Sequence, residues 1–372
     1  MASTQSKINA AALPKSLRKT FEMTLTPPDL TSGGIASNPN LSRVVVHLRH
    51  WLELAVTVNI ANSTAGALTV GGTASPNGAL DYLQSIYYSS NTSEKFFILP
   101  GAVAFKIGMW QMGINTAVNS GLNSILANDT IKGATSASIA ASGSSNFTAI
   151  YRIPVNFSGT HINMPALMGF STLNPVIKTF EINLSFGTVA SMLSGITAGL
   201  TAAITSSKVS VYSEFYPPNY ATIASSYEPP YYSSIALANS ATNSGATSDG
   251  SLDGIPKGAG YIYKSLFAFV EDTASTPYQT PTDSILTTLG LQYNTTNYLL
   301  NQMSGNIMKA EAQLIGNNSV APGMYPIPII YQGSINDVLN TENFSSFNLL
   351  YGANSAARIA LYGETVKANV AA

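Results

Sequence analysis

Cysteine is missing from this chain altogether, so neither disulfides nor thiolate-held metals contribute to its stability. Charge is almost as scarce. Asp, Glu, Lys and Arg make up 9% of the residues, against roughly 25% in an average soluble protein. The surface must therefore be covered mainly by Ser, Thr, Asn, Gln and Tyr, or be buried against other chains. An acidic external medium, in which carboxylates are neutral, would favour the same composition. With 18 acidic and 17 basic residues the net charge is −1. So small a value gives weak self-repulsion, which suits a protein that assembles. It also removes the basic field that nucleic-acid binding requires, arguing against direct sequence-specific recognition of nucleic acid.

Long apolar runs are lacking too. The first apolar stretch, Ile8 to Leu13, is too short for a secretory signal, is broken by Asn9 and is followed by Pro14. The longest charge-free run that leans apolar, Phe186 to Ser206, carries seven Ser/Thr and three Gly, which reads as a segment packed on protein rather than a membrane span. Groups for catalysis are thin. Of three histidines, His47, His50 and His161, the first pair lies in a predicted strand at odd spacing, which would point the rings to opposite faces. Hydrogen-bonded or exposed histidines are the ordinary reading, and no metal or cofactor is expected. Asp81, Glu94, Asp129, Glu181, Glu214 and Glu228 are scattered, so no glycosidase-like pair stands out. The glycine-rich Gly72 to Gly78 lacks the Lys-Ser/Thr of a phosphate loop. The expectation is a protein that is not an enzyme.

What the chain does contain is a repeat. Ile153 to Gly187 and Ile327 to Gly352 each open on an Ile-Pro strand and close on an alternating strand ending in aromatic-Gly. Each is followed by one more alternating strand, Lys208 to Tyr216 (KVSVYSEFY) and Ala357 to Lys367 (ARIALYGETVK). A period near half of 372 residues means two similar domains rather than a solenoid. Strands are predicted over 21 to 27, 43 to 60, Asp81 to Tyr88, Ser93 to Leu99, Asn146 to Phe157, Val176 to Phe186, Tyr261 to Val270 and Ser284 to Tyr293. Helical spacing appears at Gly101 to Asn119 and near Tyr298 to Leu314. Residues 62 to 79, 120 to 145 and 239 to 260 read as long polar loops. Two Pro-Pro pairs within residues 216 to 230 make a stiff connector. The expected plan is an arm at 1–20, a sandwich at 21–216, a connector at 217–230, and a second sandwich with a short tail at 231–372.

This order resembles the double jelly-roll major capsid proteins of the PRD1-like lineage of tailless, icosahedral viruses with an internal membrane. The likeness is carried by RVVVHLRHWLELAVTVNIAN (43 to 62), LDYLQSIYYS (80 to 89), PGMYPIPIIYQGSINDV (322 to 338) and NLLYGANSAARIALYGETV (348 to 366). It implies an all-β fold of two eight-stranded jelly-roll β-sandwiches in tandem with a few short helices. It further implies homotrimers with a pseudo-hexagonal footprint that tile a virion shell, made in the host cytoplasm. Penton or minor capsid proteins would be partners, and the long loops would form towers or intersubunit contacts.

The arm carries the local functional expectation. Lys7, Lys15, Arg18 and Lys19 precede the first acidic residue, Glu22, and interleave with Ile8, Leu13 and Leu17. Such a segment suits contact with anionic lipid headgroups or the inner shell, against the ordinary reading of a solvated terminus. Tyr82, Tyr87, Tyr88 and the YEPPYY run could line a sugar-binding face, but an interface or core role is the favoured reading for Tyr. Asn-x-Ser/Thr sequons at Asn62, Asn91, Asn146 and Asn183 are expected by chance in so polar a chain. A secreted lectin or adhesin, and a carbohydrate-active enzyme with tandem jelly rolls, are the alternative classes.

Overall fold

A computed structural model of the chain describes residues 18–42, 45–91, 94–114, 126–158, 168–172, 176–216, 231–275, 277–316, 319–329 and 338–369. The 217–230 connector, His161, and most of the arm lie outside these residues.

Sixteen strands carry the architecture. In the first half they are β1 (Arg18–Leu25), β2 (Gly34–Asn38), β3 (Val46–Asn62), β4 (Leu83–Ser90), β5 (Glu94–Leu99), β6 (Ser144–Asn156), β7 (Phe180–Phe186) and β8 (Leu200–Tyr216). The second half holds β9 (Tyr231–Asn243), β10 (Thr247–Leu252), β11 (Ile262–Asp272), β12 (Leu286–Tyr293), β13 (Asn297–Ser304), β14 (Met324–Pro328), β15 (Phe347–Ala353) and β16 (Ala357–Ala368). Helix α1 (Gly101–Gln111) follows β5, and helix α2 (Gly305–Gly316) follows β13. Strands β1-β8-β3-β6 form one sheet of the first sandwich, and β2-β7-β4-β5 form the other. The second half repeats the order as β9-β16-β11-β14 and β10-β15-β12-β13. Each strand thus has a counterpart eight places on, and the fold is a tandem jelly roll.

Alternation places the cores. On β3, Leu52, Leu54, Val56, Val58 and Ile60 point inward, while the intervening residues stay half-exposed. Its counterpart β11 is buried along most of its length. Leu266, Ala268 and Val270 enter the core of the second sandwich. Phe267 and Phe269, on the opposite face, join the core cluster of the first. The two jelly rolls are therefore welded through the outer face of β11. Their sheets also meet edge to edge, where Ile98 of β5 bridges Ala236 of β9 in parallel.

Helix α1 sits in this joint and is buried almost all round, as an apolar helix with few charges must be. Its Trp110 ring meets Phe267 edge-on at 5.6 Å, a geometry worth about 0.5–1.5 kcal/mol beyond area burial. Gly113, at φ 66°, closes the helix. Its N–H reaches Trp110 O at 3.0 Å, and Ile114 N–H reaches Met109 O at 3.0 Å, the paired bonds of a Schellman cap.

Several local readings are corrected. Residues 298 to 304, expected to be helical, form the edge strand β13, and the helix begins only at Gly305. Pairing with β12 outweighs the helical spacing there. Residues 239 to 260, read as a loop, contain the end of β9 and all of β10. Their Ser, Asn and Thr side chains hide a backbone that is paired to β16 and β15. The run from Phe186 to Ser206 enters β8 at Leu200, and no described helix is long and apolar enough to cross a membrane. The loop at 62–79 holds two short strand pieces, Leu68–Thr69 against Ser138–Ile139 and Thr73–Ala74 against Leu193–Ser194.

Helix α1 lies so close to β6 that a Cβ on Gly108 would fall 2.2 Å from the Pro154 carbonyl oxygen. Gly108→Ala is expected to destabilise the chain by about 1–3 kcal/mol, read as a lowered thermal midpoint. Gly66→Ala, with nothing within 4 Å of its Cβ, should leave the midpoint within error.

Candidate assembly surfaces

The structure reverses the expected placement of the histidine pair. His47 and His50 lie on the same side of β3, both fully buried, with ring centroids 5.0 Å apart. A β-bulge causes this. Strand β8 steps from Glu214 opposite Arg49 to Phe215 opposite His47, leaving Leu48 without a partner and resetting the alternation. His47 Nε2 lies 2.8 Å from the Ser42 carbonyl, which can only accept, so that nitrogen carries the proton. His47 Nδ1 then accepts from His50 Nε2–H at 3.0 Å, which also faces Ser213 Oγ at 3.0 Å. His50 Nδ1 in turn accepts the Tyr88 hydroxyl at 3.0 Å. All four ring nitrogens are hydrogen-bonded with both rings neutral. Phe157 and Phe180 pack around them. Among the described residues no group of three or more His, Cys, Asp or Glu is placed to hold a metal ion.

Scattered carboxylates prove to be local fasteners. Asp129 accepts Ala79 N–H at 3.0 Å, Ile131 N–H at 2.8 Å and the Tyr151 hydroxyl at 2.8 Å. Asp81 takes the Ser75 hydroxyl and the Asn77 amide, and Glu181 takes the Ser89 hydroxyl. Asn62, one of the sequon asparagines, donates to the carbonyls of Gly66, Ile139 and Ala140.

Of the arm residues, Lys7 and Lys15 lie outside the described residues, while Arg18 and Lys19 open β1. The Lys19 ammonium stands 5.1 Å from the Trp51 ring centroid and 5.6 Å from that of Tyr212. This spot is the centre of an aromatic and charged patch on the outer face of the first jelly roll. Phe21, 55% exposed, meets Tyr212 edge-on at 5.6 Å. Trp51 Nε1–H donates to Glu214 Oε1 at 2.7 Å, and Arg49 pairs with Glu214 Oε2 at 3.2 Å. Burial pulls the Arg49 guanidinium down, and the Glu214 charge opposes that shift.

The corresponding surface of the second jelly roll is covered. Phe267 is fully buried beneath Trp110, and Glu364 pairs with the buried Lys264 at 3.9 Å while accepting the Ser233 hydroxyl at 2.8 Å. Burial lowers the Lys264 ammonium from its ordinary value, opposed by Glu364. The second exposed apolar surface lies on α2 and β13. Leu314 is 83% exposed and Ile307 52% exposed, beside Tyr298 and Leu299. Sequence reasoning missed Trp51 and Leu314. A signal was present in the repeated Tyr-x-Glu of Tyr212/Glu214 and Tyr362/Glu364, which marks the two faces as equivalent.

No family model and no curated protein matches the chain. Solved structures do. The major capsid protein of Sulfolobus Turreted Icosahedral Virus aligns at 13% identity with a TM-score of 0.60, covering 94% of this chain and 96% of that one. The Faustovirus major capsid protein aligns at 8% identity and TM-score 0.59 over 98% and 92% of the two chains. The major capsid protein of bacteriophage PM2 aligns at 9% identity and TM-score 0.53 over 94% and 98%. These three structures, which share the fold from end to end, are double jelly-roll major capsid proteins.

The histidine pair makes stability depend on pH. Burial lowers His47 to about 4 and holds His50 well below its usual value, the His47 ring adding to the effect on His50. Between about pH 6.5 and 4 the unfolded chain binds protons that the folded chain refuses, so stability is full above 6.5 and falls with acidification. For His47 alone the loss by pH 4 is on the order of 3 kcal/mol. Chemical denaturation from pH 7.5 to 4 should show this slope, and His47→Gln/His50→Gln should flatten it.

Proposed function

We propose that this chain is the major capsid protein of an icosahedral virus, self-assembling as pseudo-hexameric trimers that tile the shell. The observation that carries the reading is the end-to-end match of the tandem jelly-roll fold to capsid proteins. The composition supports it. Two sandwiches give a rigid brick, low charge permits close approach of copies, and sizeable apolar and aromatic faces remain uncovered in a single chain. In this reading residues 21–216 and 231–372 are the two bricks, and the proline-rich 217–230 segment fixes the order in which they stand. The protein resides in the virion after synthesis in the host cytoplasm, and penton or minor capsid proteins fill the lattice positions that trimers cannot.

The arm, residues 1–20, completes the proposal. Lys7, Lys15 and Arg18 reach anionic headgroups of an internal membrane, each basic side chain near the surface adding about 1 kcal/mol. Lys19 serves at the root, where its ammonium rests on Trp51 and anchors the arm to the jelly roll.

Light scattering on the tag-free protein after size exclusion is expected to give three times the 39.0 kDa chain, or larger ordered assemblies. A monomer at every salt concentration and pH would contradict the capsid reading and turn attention to glycan binding. The arm is tested by cosedimentation with vesicles of anionic phospholipid. Binding should fall as salt rises and be lost in Lys7→Ala/Lys15→Ala/Arg18→Ala, whereas salt-independent binding or none at all contradicts lipid contact.

A further inference from the structure

The joint between the two jelly rolls has an uncovered duplicate on the outside of the chain. Gly101 opens α1 and Gly305 opens α2, and the ninth residue after each is Trp110 and Leu314 respectively. Trp110 is 2% exposed and Leu314 is 83% exposed. The surface that Trp110 touches is duplicated too. Phe267 stands between Pro326 of β14 and Tyr362 of β16. Trp51 stands between Pro154 of β6 and Tyr212 of β8. Phe267 is covered by α1, whereas Trp51 is half-exposed, with the Lys19 and Arg49 side chains over its ring. The strand edges follow the same logic. Edge strand β5 is continued by edge strand β9, while their counterparts, β13 and β1, end their sheets.

We propose that α2 and β13 of one copy dock on β3 and β1 of the next, with Leu314 seated on Trp51 as Trp110 sits on Phe267. The occupant is a second copy because the chain already shows what this surface binds. A jelly roll of the same topology covers α1 from the equivalent direction. Donor and acceptor are different patches, so the contact is heterologous and propagates around a ring instead of stopping at a two-fold dimer. The inference rests on the trimer reading and names its interface. Three chains in a ring then present six joints, three within chains and three between them. The joints between chains are the more polar, since Arg49, Glu214 and Lys19 stand where the internal joint has a buried pair. This difference lets the separate chain remain soluble before it assembles.

The chain has no cysteine, so a reporter pair can be placed without background. Glu53→Cys, two residues from Trp51 on the same outward face, combined with Leu314→Cys and a short bis-maleimide, should yield a covalent ladder ending at the trimer. Leu314→Glu with Ile307→Glu changes side chains that are exposed in the single chain. It should therefore keep the far-UV circular dichroism of the folded β-protein while shifting the mass from trimer to monomer at concentrations where the parent is fully trimeric, the midpoint falling only by the lost assembly contribution. A parent trimer that neither crosslinks nor responds to the glutamates overturns the inference and leaves the capsid reading standing. A parent that is never trimeric overturns both.

Discussion

A strand whose two faces are both apolar needs two covers, and β11 is that strand. Its inward face closes the second sandwich, and its outward face, through Phe267 and Phe269, closes against the first. Neither jelly roll can then move relative to the other without exposing aromatic surface, so the pair behaves as one brick. Trp110 reinforces the contact, and the β5–β9 bridge continues one sheet across the joint. The capsid reading depends on this rigidity. A shell built from bricks that flexed at their middle would lose the fixed angles that close it.

Within the first jelly roll the bulge at Leu48 has a comparable local role. It turns His47 inward beside His50, where the Tyr88-to-Ser42 relay crosses the interior with all four ring nitrogens bonded. A buried polar chain of this kind specifies one register of β3 against β8, because a shift of one residue would leave several groups unpaired. Neutrality is its condition. Acid that charges either ring breaks the relay from within, so the packing that fixes the register also sets the acid limit of the fold.

The sequence made the large features legible and hid those that depend on distant partners. Alternation marked β3, β6, β8 and β11, and the Ile-Pro and aromatic-Gly repeats marked the duplication. The face of His47 was lost because a bulge leaves no trace in spacing. Strand β13 was read as helix because YLLNQM fits both periods and only its pairing with β12 decides between them. The end of β9 and all of β10 were read as loop because their side chains are polar, while their backbones pair with β16 and β15. The docking surface was the least visible. Trp51 and Leu314 are far apart in sequence, and their meaning appears only once Trp110 is seen against Phe267. Of the basic arm residues, the structure places Arg18 and Lys19 at the start of β1.

In the proposed assembly one joint is used twice, once inside the chain and once between chains. A cryo-EM reconstruction of the assembled protein would show it. Six jelly rolls are expected around a pseudo-sixfold axis, with Leu314 of each copy on Trp51 of the next and β13 lying beside β1. Assembly about a two-fold axis, or a ring in which α2 faces solvent, would rule it out.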